Sequence, residues 1–233
     1  YTAGLHEVEQ NLRLVGSAPA DQTVGAPDAA SRPRLRFSIT PADAAWAEAR
    51  LRAVAPDGAV IAAHPGAGAA VKLWTTARWI DTLTALAREH CAAIVLTGGP
   101  AERPLAQAIA AGLTPPPLML AGETTLGQLA ALFARCRLVL GADSGPLHLA
   151  VAAGAATVHL FGPADPTLFG PWGDPQRNVV VQARFFDEPC HGRPCNRLDY
   201  RTDELAGHTC MQTITVDDVL AAARRAYKTT PTA

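Results

Sequence analysis

Residues 141–162 read GADSGPLHLAVAAGAATVHLFG. The apolar run RLVL leads into this stretch from residue 137, and ATVHLFG closes it. A strand, a helix of small residues from about 146 to 153, and a second strand therefore follow in quick succession, the pattern of two parallel strands joined by a crossover helix. Asp143, Ser144, Gly145 and Pro146 stand at the first junction. A helix start offers unpaired N–H groups and about half a positive charge, which suits a phosphate. Gly145 removes the side chain that would block close approach, Pro146 fits a first helical turn, and Ser144 can add a hydrogen bond. Asp143 would repel a phosphate. Beside one, it is better suited to accept hydrogen bonds from hydroxyls of an attached sugar. Read in isolation, Asp143 or Ser144 serves equally as a helix cap.

The same order repeats on either side. AVIAA (59–63) reads as a strand, and Thr75 or Thr76 caps a helix carrying Trp79, Ile80, Leu83 and Leu86 at helical spacing. AAIVLTGG (92–99) is the next strand, before a helix around 101–111. PLML (117–120) is a short strand, Thr124 or Thr125 caps LGQLAALFARC, and NVVVQA adds a last strand. Upstream, YTAGLHEVEQNLRLV reads as an amphipathic helix and GSAPADQTVGAPDAASRPR as a linker. LRFSIT alternates like a strand, and Pro41-Ala42-Asp43 opens a helix through Arg52. This alternation predicts an α/β fold, a Rossmann-like parallel sheet with helices on both faces.

Ligands of such sheets bind beyond the carboxyl ends of the strands. Four exits are rich in glycine and polar residues: HPGAGAAVK, TGGPAE, GADSGPLH and FGPADP. In the first, Gly66 and Gly68 let backbone amides approach a ligand, and Lys72 can offset phosphate charge. No Gly-Lys-Ser/Thr follows, so this is not a Walker loop. In the second, Glu102 can accept from ribose hydroxyls or simply complement a helix dipole. In the fourth, Asp165 and the nearby aromatics fit a rigid loop before they fit a pocket. His64 and His148 read as packed or hydrogen-bonded histidines as readily as chemical ones.

Bulk properties narrow the classes. Hydrophobic residues make up 48% and charged residues 18% of 233, a globular balance. The formal net charge is -1 with no long basic run, which argues against a nucleic-acid surface. No apolar stretch reaches the roughly 18–20 residues of a membrane-spanning helix, and the charged first residues do not resemble a signal peptide. A cytoplasmic protein is expected, peripheral to the inner membrane at most.

Taken together, HPGAGAAVKLW, LTGGPAE, LAGETTLGQLAALFARCRLVLGADSGPLHLAVAAGAATVHLFGPADP and CMQTITVDDVLAA resemble the C-terminal half of the ADP-heptose:lipopolysaccharide heptosyltransferases, glycosyltransferase family 9. Order and spacing both match, across roughly residues 58–222. The resemblance implies a GT-B architecture, in which a donor domain and an acceptor domain face one another across a cleft. Residues 58–233 would be the nucleotide-sugar-binding domain, and residues 1–57 the end of the acceptor domain, a linker and a leading strand and helix. The implied reaction transfers heptose from ADP-L-glycero-D-manno-heptose to a lipopolysaccharide core acceptor with inversion, without a metal or other cofactor. Lys72 would neutralise the diphosphate together with the amides at Ser144 and Gly145, the work a metal ion does elsewhere. Gly66 would line the donor site, Glu102 would contact the ribose, and Asp143 the heptose, with His148 in support. The base that deprotonates the acceptor would lie in an N-terminal domain not represented here, so donor binding without transfer is the expectation for these residues. A different nucleotide-sugar donor, or a non-catalytic nucleotide-binding module, remain the alternatives.

Five cysteines complete the reading. Cys91 and Cys136 fit buried small hydrophobes. Cys190, Cys195 and Cys210 share one irregular segment with His191 and His208, and a structural zinc bound by Cys190, Cys195, Cys210 and His208 is conceivable. Their spacing is not that of a standard zinc motif. A reduced surface loop or a labile disulfide is the simpler reading.

Overall fold

The computed structural model describes residues 4–14, 34–56, 58–185, 192–201 and 203–229. Its centre is a parallel sheet of β1 (Val60–His64), β2 (Ala93–Leu96), β3 (Leu118–Met119), β4 (Leu138–Ala142), β5 (Thr157–Phe161) and β6 (Asn178–Gln182), in the order β3-β2-β1-β4-β5-β6. The chain builds outward from β1 to one edge, then returns to start again from β4 beside β1. That is the Rossmann order, and its reversal lies between β1 and β4.

Alternation along each strand divides two cores. Ile61, Ala63, Leu138, Leu140, Val158 and Leu160 face α3 (Thr76–His90), α4 (Arg103–Ala110) and α8 (Val216–Lys228). Val60, Ala62, Val95 and Val139 face α2 (Pro41–Arg52), α5 (Leu126–Arg135) and α6 (Gly145–Ala152). Trp79, Leu83 and Leu86 of α3 are fully buried, as their helical spacing predicts. Thr125 caps α5 in a reciprocal capping box with Gln128, and Thr215 does the same for α8 with Asp218. At α3 the N-cap is Thr75, whose side chain makes no capping bond. Trp74 donates from Nε1 to the Ile214 carbonyl at 3.1 Å, tying the start of α3 to the turn before α8.

Two local expectations need revision. LRFSIT is no strand: residues 34–40 join no ladder, although exposure alternates along them. The period of two is real, but here it lays Ile39 against the second core while Thr40 caps α2. Cys91 is exposed, because it holds the left-handed position (φ 49°) that ends α3. Cys136 is buried, as expected. Most of the linker read at 16–34 lies outside the described residues. Before it, α1 (Glu7–Leu14) is reached through His6, whose Nε2 stands 3.0 Å from the Gly170 carbonyl beside the Trp172 ring. α7 (Pro166–Phe169) occupies the exit of β5, and Asp165 caps it by accepting from the Thr167 amide, the structural role that loop suggested.

The middle of the sheet carries one costly group. His159 of β5 is fully buried, its Nε2 is 2.9 Å from Thr157 Oγ1, and its Nδ1 has no partner among the described residues. Burial, with His148 nearby, pushes its pKa down to about 3. An unfolded histidine titrates near 6.5, so between those values the unfolded chain binds a proton that the native state refuses. This contribution to stability is complete above about pH 6.5 and is lost as pH falls toward 3. From pH 7 to 4.5, the parent chain should lose about 2–3 kcal/mol more stability than His159→Leu, as read by urea denaturation at each pH.

Candidate functional site

The strand reversal gathers the polar exits of β1, β2 and β4 at one place. After β1, Pro65 and Gly66 lead to a short 3₁₀ turn, Ala70–Lys72, anchored by the buried Val71. This turn aims Lys72 across the crevice at the exit of β4. Its Nζ lies 2.6 Å from Asp143 Oδ2 and 3.3 Å from the Asp143 carbonyl. Asp143 is only 6% exposed, and its amide still bonds to Leu160 in the sheet ladder. The carboxylate is therefore fixed by backbone and by counter-ion together. A charge so sequestered needs such a partner.

Ser144, in extended conformation, is the N-cap of α6. Its Oγ is buried and has no hydrogen-bond partner among the described residues, so it does not serve as an ordinary cap. A Cβ placed on Gly145 would meet no protein atom, which leaves the approach to the first amides of α6 open. Gly141 is under the opposite constraint. A Cβ there would overlap Leu147 and press on the His64 carbonyl, and this close packing sets α6 directly over the β1–β4 crevice.

Glu102 closes the site from β2. It ends the turn Pro100–Glu102, and its Oε2 accepts from the Gly99 amide at 2.6 Å. His64 Nε2 lies 3.4 Å from the same oxygen. The His64 contact holds this carboxyl below the usual carboxylate range, with the Gly99 amide adding to the effect and burial opposing it. Gly66 has a further reason to be glycine here: a side chain at that position would overlap the Glu102 carboxylate. His148, in the first turn of α6, lies 5.7 Å from the His159 ring. Burial lowers its pKa, the charge of Asp143 opposes that, and His6 and Lys72 reinforce it.

The structure thus brings together Gly66, Lys72, Glu102, Asp143, Ser144 and Gly145, with His148 behind them. The sequence reading missed the Lys72–Asp143 pairing and did not consider Thr97. Thr97 Oγ1 lies 3.0 Å from His64 Nδ1 and 3.2 Å from the Ala63 carbonyl. The signal was present, since parallel pairing of Ala63 with Leu96 makes His64 and Thr97 the next residues in register.

The described residues of the cysteine segment make their contacts elsewhere. Cys190 lies outside the described residues. Cys195 contacts the Tyr200 hydroxyl at 3.3 Å on the surface, Cys210 is buried in the first core, and His208 packs on the Tyr200 ring. No three potential metal ligands converge among the described residues, and no helix among them is long and apolar enough to cross a membrane.

The sequence profile of glycosyltransferase family 9 (heptosyltransferase) matches residues 2–200. The chain belongs to this family. Among curated family members it is 38% identical over 117 residues to lipopolysaccharide heptosyltransferase 3 of Escherichia coli, covering 48% of this chain and 33% of that protein. It is 31% identical over 137 residues to the lipopolysaccharide core heptosyltransferase OpsX of Haemophilus influenzae, covering 58% and 39%. The chain thus matches well under half the length of these relatives. Among solved structures, a family 9 glycosyltransferase from Veillonella parvula superposes with a TM-score of 0.76 at 20% identity, over 96% of this chain and 60% of that one. E. coli heptosyltransferase WaaC with ADP superposes at 0.59 and 21%, over 94% and 56%. These likenesses establish a shared fold.

Asp143 and Lys72 depend on each other even without a ligand. Lys72→Met should destabilise the chain by about 1–3 kcal/mol, because it leaves a buried carboxylate without its counter-ion. Lys72→Met/Asp143→Asn should be less destabilised than Lys72→Met alone, a coupling measured by urea denaturation of all four proteins in the cycle.

Proposed function

We infer that this chain is the donor-binding part of an inverting heptosyltransferase. It binds ADP-L-glycero-D-manno-heptose for transfer to a lipopolysaccharide core acceptor. The observation that carries the reading is the arrangement at the β1–β4 reversal, where Lys72 bridges to Asp143 beside the open start of α6 while Glu102 waits across the crevice. Family membership and the names of the relatives support the donor and the acceptor class. Residues 58–233 form the donor domain in this reading, and residues 1–57 carry the end of the acceptor domain and its connection. The protein works in the cytoplasm, at the inner face of the membrane where such acceptors are built.

The chemistry follows from the charges. As the glycosidic C–O bond breaks, negative charge builds on the departing diphosphate and the sugar becomes oxocarbenium-like. Lys72 and the amides at the start of α6 stabilise that diphosphate, and the unpartnered Ser144 hydroxyl donates to it. Asp143 holds the heptose hydroxyls and keeps Lys72 extended into the crevice. Glu102 accepts from the ribose diol. The acceptor hydroxyl attacks the anomeric carbon from the opposite face, losing its proton to a base on the facing domain.

Calorimetric titration with ADP, UDP, GDP and ADP-heptose tests the assignment. ADP should bind at least about tenfold more tightly than UDP or GDP, and Lys72→Ala should weaken ADP by about tenfold or more. Asp143→Ala should weaken ADP-heptose by about tenfold while leaving ADP unchanged or tighter, because it frees Lys72 for the diphosphate. Equal affinity for the three nucleotides would contradict the donor assignment.

A further inference from the structure

Glu102 is held by more than its own turn. His64 is 3% exposed at the end of β1, with Nδ1 toward Thr97 of the β2 exit and Nε2 toward Glu102. Thr97 is fully buried, and its Oγ1 lies within hydrogen-bond reach of both the ring and the Ala63 carbonyl, so the ring is held from the sheet side. An ionised carboxylate can only accept hydrogen bonds, so the His64–Glu102 pairing places a proton on Nε2; Nδ1 of the neutral ring then accepts from the Thr97 hydroxyl, whose single proton turns to the ring in place of the Ala63 carbonyl. Among the described residues, the contacts to the Glu102 carboxylate from the Gly99 amide and from His64 both fall on Oε2. Oε1 has no hydrogen-bond partner among the described residues, and the absence of a side chain at Gly66 is what leaves it room. A free glutamate samples several rotamers, and pinning one oxygen removes that freedom before a ligand arrives.

We propose that His64 is a positioning residue for donor recognition: clamped by Thr97, it fixes Glu102 through Oε2 and keeps Oε1 available to the ribose hydroxyls. This rests on the reading of Glu102 as the ribose acceptor. It gives the β1 exit a second task at His64, distinct from that of Lys72 in the same loop, which acts on the diphosphate. The relay Thr97–His64–Glu102 links the ends of two neighbouring strands, so the spacing of β1 and β2 sets the position of the carboxylate.

The test compares the affinity of the full chain for ADP with that for 2′,3′-dideoxyadenosine diphosphate, which lacks both ribose hydroxyls. The parent should prefer ADP by at least about tenfold, since hydrogen bonds to a charged group are the strong kind. His64→Gln, whose amide nitrogen can reach the position of Nε2, should keep most of that preference. His64→Asn reaches only toward Thr97, and His64→Leu reaches neither, so both should reduce the preference to below about threefold. Thr97→Val, close in shape to the parent side chain, should lower it at least threefold and provides the answer if a His64 variant fails to fold. In every variant the preference for ADP over adenosine monophosphate, which is set at α6, should stay at the parental value; a general loosening of the site would lower it as well. If His64→Asn, His64→Leu and Thr97→Val keep the parental ribose preference while Glu102→Ala abolishes it, the role of His64 is overturned and Glu102 stands. If Glu102→Ala keeps that preference, the reading of Glu102 fails and the proposal with it.

Discussion

In an all-parallel sheet every strand must be followed by a crossover, and here the chain exhausts one edge at β3 before starting again from β4 beside β1. Crossovers that lead outward from a common centre diverge, so the loops leaving β1 and β4 separate and a crevice opens between them. Most of what distinguishes this molecule stands at that crevice. The 3₁₀ turn carrying Lys72 forms one wall, Asp143 and the start of α6 the other, and Glu102 reaches in from β2. Gly141 makes the arrangement tight, because only a residue without Cβ lets α6 settle so near the end of β1.

The charges in the crevice are balanced before any ligand arrives. A lysine alone would be mobile, and a buried aspartate alone would be costly; joined at 2.6 Å, each orders the other. A diphosphate at α6 would share the ammonium with Asp143, and this turns the apparent conflict between a carboxylate and a phosphate into a division of labour. Glu102 follows the same logic on a smaller scale, with His64 and the Gly99 amide compensating its burial. Both carboxylates are preorganised at the expense of their own solvation. Their partners come from neighbouring strand exits, so positioning depends on the sheet itself.

The alternation of strands and helices was legible because buried parallel strands are short apolar runs and because Thr125 marks a helix start by its own chemistry. LRFSIT misled for a physical reason. Period-two burial records which side of an extended segment faces the core, and says nothing of whether a neighbour supplies hydrogen bonds. Cys91 misled because a left-handed helix end is normally a glycine or asparagine position, and a thiol there gives no warning. At the site, each of Lys72, Glu102, Asp143 and Ser144 was legible from its place after a strand, but their pairings were not. Lys72 and Asp143 are 71 residues apart. Their contact follows from the strand order, which the short apolar runs do not encode one by one. Gly66 has a further reason to be glycine that only the fold reveals, since Glu102 occupies the space beside it.

The central claim is that the β1–β4 reversal binds a nucleoside diphosphate with its phosphates on α6 and its ribose at Glu102. Backbone amide shifts recorded while ADP is titrated into the isotopically labelled chain test it most directly. The account predicts that the largest changes fall on residues 64–72, 97–102 and 143–148, all saturating at one concentration. Changes concentrated at the opposite end of the sheet, or along the edge formed by β6 and α8, would contradict it.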